Sequence, residues 1–169
     1  MNEQTTVEPK RGTKGEWRAF IYPVYYLIGI VVGAMWDIMA SGRDPVESFL
    51  FYTIVIGIGL NMFVSFFMHY FLSAKIAKGI GWEPSPFQKE LAWSILGLGL
   101  VGLMCIWIDG IFWLAPIVMV TPFFWGAAAG HIKEAVKEKN YTPGNVGPVL
   151  WMDIILPIVC IVLAIIYWG

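Results

Sequence analysis

Apolar residues run along this chain in five long blocks, separated by short polar or turn-forming segments. The blocks cover about 20–40, 49–72, 87–107, 111–130 and 149–168. Each approaches the roughly 20 mainly apolar residues that a helix needs to cross a bilayer. The third and fourth blocks are nearly continuous, but Asp109-Gly110 interrupts them. Asp-Gly is a strong turn dipeptide, so two short spans joined by a tight hairpin fit better than one double-length helix. The first block is too long for a secretory signal peptide, and no small-residue cleavage site follows it before Ser41-Gly42. It therefore reads as a retained span. Residues 1–15 read as a mobile polar tail and residues 16–169 as a single transmembrane domain. The expected fold is an all-α integral membrane bundle of five helices.

Composition agrees with the pattern. Hydrophobic residues make up 58% of the chain and charged residues 14%, and the mean hydropathy is +0.69. Soluble domains carry roughly a quarter charged residues, so an ordinary water-soluble enzyme and a disordered chain are both excluded. The net charge of −1 leaves no basic footprint for nucleic acid. The expected partner is the lipid bilayer. Cys105 and Cys160 each stand alone in an apolar run, which indicates neither a disulfide framework nor a cysteine zinc site.

The basic residues orient the bundle. Lys10, Arg11, Lys14 and Arg18 precede the first span, Lys75, Lys78 and Lys89 follow the second, and Lys133, Lys137 and Lys139 follow the fourth. Arg43 alone belongs to the opposite side. Cytoplasmic loops carry the excess of Lys and Arg, so five spans place the N-terminus in the cytoplasm and the C-terminus outside. A four- or six-span arrangement would mix the two groups.

Helices in lipid associate through close packing and polar contacts. Gly29 and Gly33 on the first span, and Gly126 and Gly130 on the fourth, form GxxxG surfaces suited to packing within the chain, to a homo-oligomer or to a larger membrane complex. Gly97, Gly99 and Gly102 thin the third span. Ser85-Pro-Phe-Gln88 reads as its start, with a serine cap, a proline at the first helical position and a capping glutamine.

Polar residues inside the spans carry the candidate chemistry. Gly57, Asn61, Ser65 and His69 recur every four residues along the second span, which keeps them within one arc of a helix. His69, Glu90, His131 and Asp153 come from four different spans, yet alternating helix directions put all four near the inner interface. Glu134 shares a helix face with His131. Ionisable groups inside spans usually face the bundle interior, a cavity or a partner. Asn61, Ser65, His69, Glu90, His131, Glu134 and Asp153 are therefore expected to form a polar pathway or ligand site. His69 and His131 also suit a transition metal or the axial positions of a haem. The plainer reading of the stripe on the second span is interhelical glue facing the bundle interior.

The stretch Gly81-Trp-Glu-Pro-Ser-Pro-Phe-Gln-Lys-Glu90, with Gly126-Ala-Ala-Ala-Gly-His131 and Pro143-Gly-Asn-Val-Gly147, resembles an uncharacterised family of small bacterial and archaeal polytopic membrane proteins. The resemblance covers about the second half of the chain. It implies a multi-pass protein of the prokaryotic inner membrane and no particular chemistry.

No Walker loop, GxSxG, HExxH or CxxC is present, so nothing in the sequence signals catalysis. The leading expectation is a non-enzymatic bundle that moves or senses a polar solute or ion, or a subunit of such a system. The competing expectations are a metal- or haem-binding redox subunit using His69 and His131, and a structural or assembly subunit.

Overall fold

The computed structural model describes residues 8–13 and 21–169. Lys14, Trp17, Arg18 and the start of the first apolar block lie outside the described residues. The fold is all-α apart from one two-residue strand pair.

Helix α1 (Tyr22–Ser41) carries Pro23 in its first turn and ends at Gly42, whose φ of 69° puts its N–H onto the Ile38 carbonyl. That left-handed cap favours glycine, which has no Cβ to clash. Helix α2 (Pro45–Phe71) starts on the Asp44 carboxylate, which accepts hydrogen bonds from the Val46 and Glu47 amides at 2.9 and 3.1 Å. The same short connection holds an ion-pair cluster. Arg43 lies 3.1 Å from Asp37 and 3.6 Å from Glu47, with its guanidinium 5.3 Å from the Phe51 ring.

Helix α2 is not uniform. Residues Thr53–Leu60 form a π-helical segment between two α-helical ones. The wider π turn changes the angular step, so the four-residue spacing does not keep Gly57 on the face of Asn61, Ser65 and His69. A side chain at Gly57 would meet Leu156 and Ile30 instead.

A short amphipathic helix, α3 (Ser73–Ile80), follows where the sequence reads as a loop. It buries Ile76, Ala77 and Ile80 and exposes Lys75 and Lys78. Helix α4 (Phe87–Met104) begins where Ser85 Oγ accepts from the Phe87 amide at 3.3 Å. The capping box is not closed, however, because Gln88 Oε1 is buried with no hydrogen-bond partner among the described residues. Asp109-Gly110 makes the expected turn, with Gly110 at φ 63°. A 3₁₀ turn at Gly110–Trp113 then leads into α5 (Leu114–Lys137). Pro116 falls in the first turn of α5, where its missing N–H costs nothing, and Pro122 lies inside the helix. The helix runs past His131 to Lys137. The short turn α6 (Pro143–Val146) and helix α7 (Pro148–Trp168) complete the chain.

Contacts between pairs of residues fix the helix directions. Gly33 and Gly29 of α1 lie against Tyr52 and Ile56 of α2. Gly99 and Gly102 of α4 lie against Phe63 and Gly59 of α2. His131 and Trp113 approach Asp153 and Tyr167 of α7. Each of these pairings is antiparallel, so α1, α2, α4, α5 and α7 alternate in direction. Helix α2 is central, with half of its most apolar stretch buried against 11% for α1. Leu50, Ile54, Ile58, Val120 and Cys160 form the solvent-free middle.

The closest backbone-to-backbone approach is not where the GxxxG patterns point, although a Cβ at Gly33 would run into the Tyr52 ring. A Cβ at Gly102 would stand 2.7 Å from the Gly59 Cα, and one at Gly99 would stand 2.6 Å from the Phe63 amide nitrogen. Gly59, Gly99 and Gly102 thus let the α2 and α4 backbones touch. Gly29 and Gly33 are taken up inside the chain, whereas Cβ atoms at Gly126 and Gly130 would meet nothing within 4 Å.

Among the described residues, four segments are long and apolar enough to cross a membrane: Tyr22–Ser41, Pro45–Phe71, Gly110–Lys137 and Pro143–Trp168. Helix α4 falls outside this group because Gln88, Lys89 and Glu90 occupy its first turn. All the described lysines lie toward one end of the bundle, with the loops at 72–86 and 138–147. The described part of the polar tail is found at this basic end too. Strand β1 (Lys10–Arg11) pairs in parallel with β2 (Asn140–Tyr141), and Lys10 Nζ donates to the Gly81 carbonyl at 3.1 Å.

Candidate functional site

Helices α2, α5 and α7 and the two basic-end loops enclose a cavity of about 150 Å³. Asn61, Ser65 and His69 reach it from one α-helical face of α2, and His131 and Asp153 reach it from α5 and α7. Tyr22, at the start of α1, and Trp82, in the loop after α3, add further wall. Of the residues expected to form the site, five therefore share one cavity. Two do not line it. Glu90 is exposed on α4, and Glu134 is half-buried one turn beyond His131.

His131 is the best-organised member. It is 6% exposed, its Nδ1 lies 2.8 Å from Asn145 Oδ1, and its ring stacks on Trp82 with centroids 5.9 Å apart. Asn145 decides which nitrogen carries the proton. Its Nδ2 donates to the His131 carbonyl at 3.0 Å and to the Asn140 carbonyl at 2.8 Å. The amide orientation is therefore set, and Oδ1 faces the ring as an acceptor. Nδ1 must be the donor. In a neutral ring, Nε2 then presents its lone pair toward Asp153 Oδ2, 3.9 Å away. A lone pair facing a carboxylate is repulsive, so this pair favours a proton on one partner or the other. A small approach, or one water between them, would complete the hydrogen bond.

The loops behind His131 are held by a second buried knot. Asn140 is fully buried, and its Nδ2 donates to the Ile80 carbonyl at 2.8 Å. Thr142 Oγ1 lies 2.8 Å from both the Ile80 carbonyl and Asn140 Oδ1. Asn140, Thr142 and Asn145 thus fasten the 138–147 loop to the end of α3 and to α5. His69 contrasts with His131. Its Nδ1 is buried with no hydrogen-bond partner among the described residues, although the ring lines the cavity.

Among the described residues, no group of three or more His, Cys, Asp or Glu side chains stands close enough to hold a metal ion. His131 Nδ1 is committed to Asn145, and the cavity is well below the roughly 300–1,000 Å³ of sites that enclose larger ligands and cofactors.

Sequence reasoning passed over Asn145, Trp82 and Tyr22 as site residues. Asn145 lies in a Gly- and Pro-rich loop that reads only as a connection, and Trp82 reads as an interface anchor. Both stand in the stretches that carry the family resemblance, which was the available signal.

The fold and site define a class: a small helical bundle of membrane-protein build, with a largely apolar cavity at one end that holds a cluster of polar side chains. Residues 20–169 match the model of a family of unknown function (DUF6790), and the chain belongs to that family. No curated protein and no solved structure matches it.

Proposed function

We propose that this protein is a five-span protein of the prokaryotic inner membrane, with its basic end in the cytoplasm, that moves a polar solute or ion coupled to a proton. The observation that carries the reading is the His131–Asp153 pair on the wall of the cavity, beside Asn61, Ser65 and His69. Asn145 commits one imidazole nitrogen, so the pair exchanges a single proton at Nε2 and Oδ2. Asn61, Ser65 and His69 supply donors and acceptors for a solute in the same space. Such a site needs no bond-making chemistry, and the reading is non-enzymatic.

The fifth span is supported by the placement of α4. Its 18 residues extend about 27 Å at 1.5 Å per residue, close to the roughly 30 Å hydrocarbon core. It runs antiparallel to α2, and its polar first turn sits at the basic end, where headgroups would solvate Lys89 and Glu90. Reporter fusions test this topology. A fluorescent protein fused to the N-terminus should be active, and alkaline phosphatase fused after Gly169 should be active too. Both termini reporting the same side would contradict five spans.

The transport reading is tested in proteoliposomes containing a pH-sensitive dye. An imposed gradient should drive a protein-dependent proton flux that Asp153→Asn reduces at least tenfold. Equal flux in both proteins, or none above empty liposomes, would contradict it. The open face at Gly126 and Gly130 supports association with a second copy or a larger complex.

A further inference from the structure

The cavity has an apolar neighbour on the other side of the bundle wall. An apolar groove of about 510 Å³ runs down the outside between α1, α2 and α7. Val24, Leu27 and Val31 line it from α1, and Trp151, Ile155 and Val159 line it from α7. These residues point away from the core, and most are more than a third exposed. Pro23 and Met152 belong to the walls of both spaces. Their neighbours Tyr22 and Asp153 line the polar side. One turn of α1 and one turn of α7 thus form a threshold, with hydrogen-bonding groups inside it and aliphatic surface outside.

From these contacts we infer that the cavity and the groove together bind a single-chain lipid with a small hydroxylated head group. The head would sit in the cavity and the chain in the groove. This rests on the proposed reading of the cavity as a binding site and names the class of molecule it takes. Three observations select that class. The cavity's volume accepts a head of a few heavy atoms and no more. Its walls combine acceptors and donors in Asp153, Ser65, Asn61 and Tyr22, which matches hydroxyl groups that do both. The groove follows α7 from Pro148 to Leu163, about 22 Å at 1.5 Å per residue, long enough for one extended acyl chain and within the roughly 30 Å hydrocarbon core. Its lining is aliphatic and aromatic apart from Thr53, so a second polar group along the chain would be stranded.

The test is photolabelling of the full-length protein in nanodiscs. The probe is 1-monopalmitoylglycerol with a diazirine midway along its chain, and the control is methyl palmitate with the same diazirine. The glycerol probe should crosslink to peptides carrying Val24–Val31 and Ile155–Val159, and excess unlabelled monopalmitoylglycerol should compete. Ile155→Trp, at a position 50% exposed, should fill the groove and abolish that labelling without unfolding the bundle. Asp153→Asn and Ser65→Ala should each weaken competition by the glycerol lipid at least fivefold and leave the methyl ester unaffected. Equal labelling by both probes, indifferent to Asp153 and Ser65, would mean an ordinary lipid annulus and would overturn the inference. Head-group-dependent labelling without proton flux would keep this inference and reject the transport reading. Proton flux without head-group-dependent labelling would do the reverse.

Discussion

Gly102→Ala is expected to separate α2 from α4 and to lower the denaturation midpoint. The added carbon would stand 2.7 Å from the Gly59 Cα and 2.8 Å from the Gly59 nitrogen. Both are backbone atoms, so no rotamer change relieves the clash and the helices themselves must move. Overpacking a well-filled interior costs about 1–3 kcal/mol, and a backbone-to-backbone contact puts this site at the upper end. Gly99→Ala should behave alike. Gly97→Ala supplies the control on the same helix, because its Cβ would meet nothing within 4 Å. It should be neutral or mildly stabilising, since alanine loses less backbone freedom than glycine in a helix. Thermal or chemical unfolding of the detergent-solubilised protein reads all three. Equal midpoints for the Gly97 and Gly102 variants would contradict the close approach.

The second large effect is expected at Asn145, which is fully buried. Asn145→Ala removes the acceptor of His131 Nδ1 and the donor to two carbonyls. A buried polar group left without a partner costs about 1–3 kcal/mol. The three losses overlap, and a destabilisation of about 3 kcal/mol is expected by chemical denaturation. The consequence for function is separate. Without Asn145 the imidazole is no longer held in one tautomer, so proton flux should fall even at temperatures where the variant remains folded. A double-mutant cycle with His131→Ala should show a coupling of at least about 1 kcal/mol, as for groups in one hydrogen-bond network. Additive effects would contradict a shared network.

Much of the architecture is legible in the sequence because the bilayer imposes a coarse rule. An apolar block of some twenty residues has few alternatives to a helix, and the turn at Asp109-Gly110 follows from backbone preference alone. Local departures from the regular α-helix are less visible. The π segment at Thr53–Leu60 carries no charged residue and no proline, so nothing marks the change in angular step that turns Gly57 away from Ser65. The glycine contacts are legible only in part, since Gly29 and Gly33 do pack inside the chain, against α2. GxxxG spacing shows where a helix is thin but not which neighbour arrives there. The real contact uses Gly59, Gly99 and Gly102, which no single-helix pattern joins.

The candidate site divides along the same line. His69, His131 and Asp153 are readable as a group, since depth in the bundle follows from span boundaries and helix direction. Depth does not give the azimuth, and Glu90, at the same level, points outward from α4. Asn145 is the residue that organises His131. It sits in a loop, and a loop residue's partners depend on how the chain folds back rather than on any period. Its role emerges only when the 138–147 segment is placed against α5.

The central claim is that the cavity around Ser65, His69, His131 and Asp153 is a working site open from the basic, cytoplasmic end. Ser65→Cys tests it most directly, because Cys105 and Cys160 are 2% and 0% exposed and should stay silent. A membrane-impermeant methanethiosulfonate reagent should modify the new thiol in inside-out vesicles and leave it unmodified in right-side-out vesicles. A thiol unreactive from both sides, or reactive only from outside, would contradict the account.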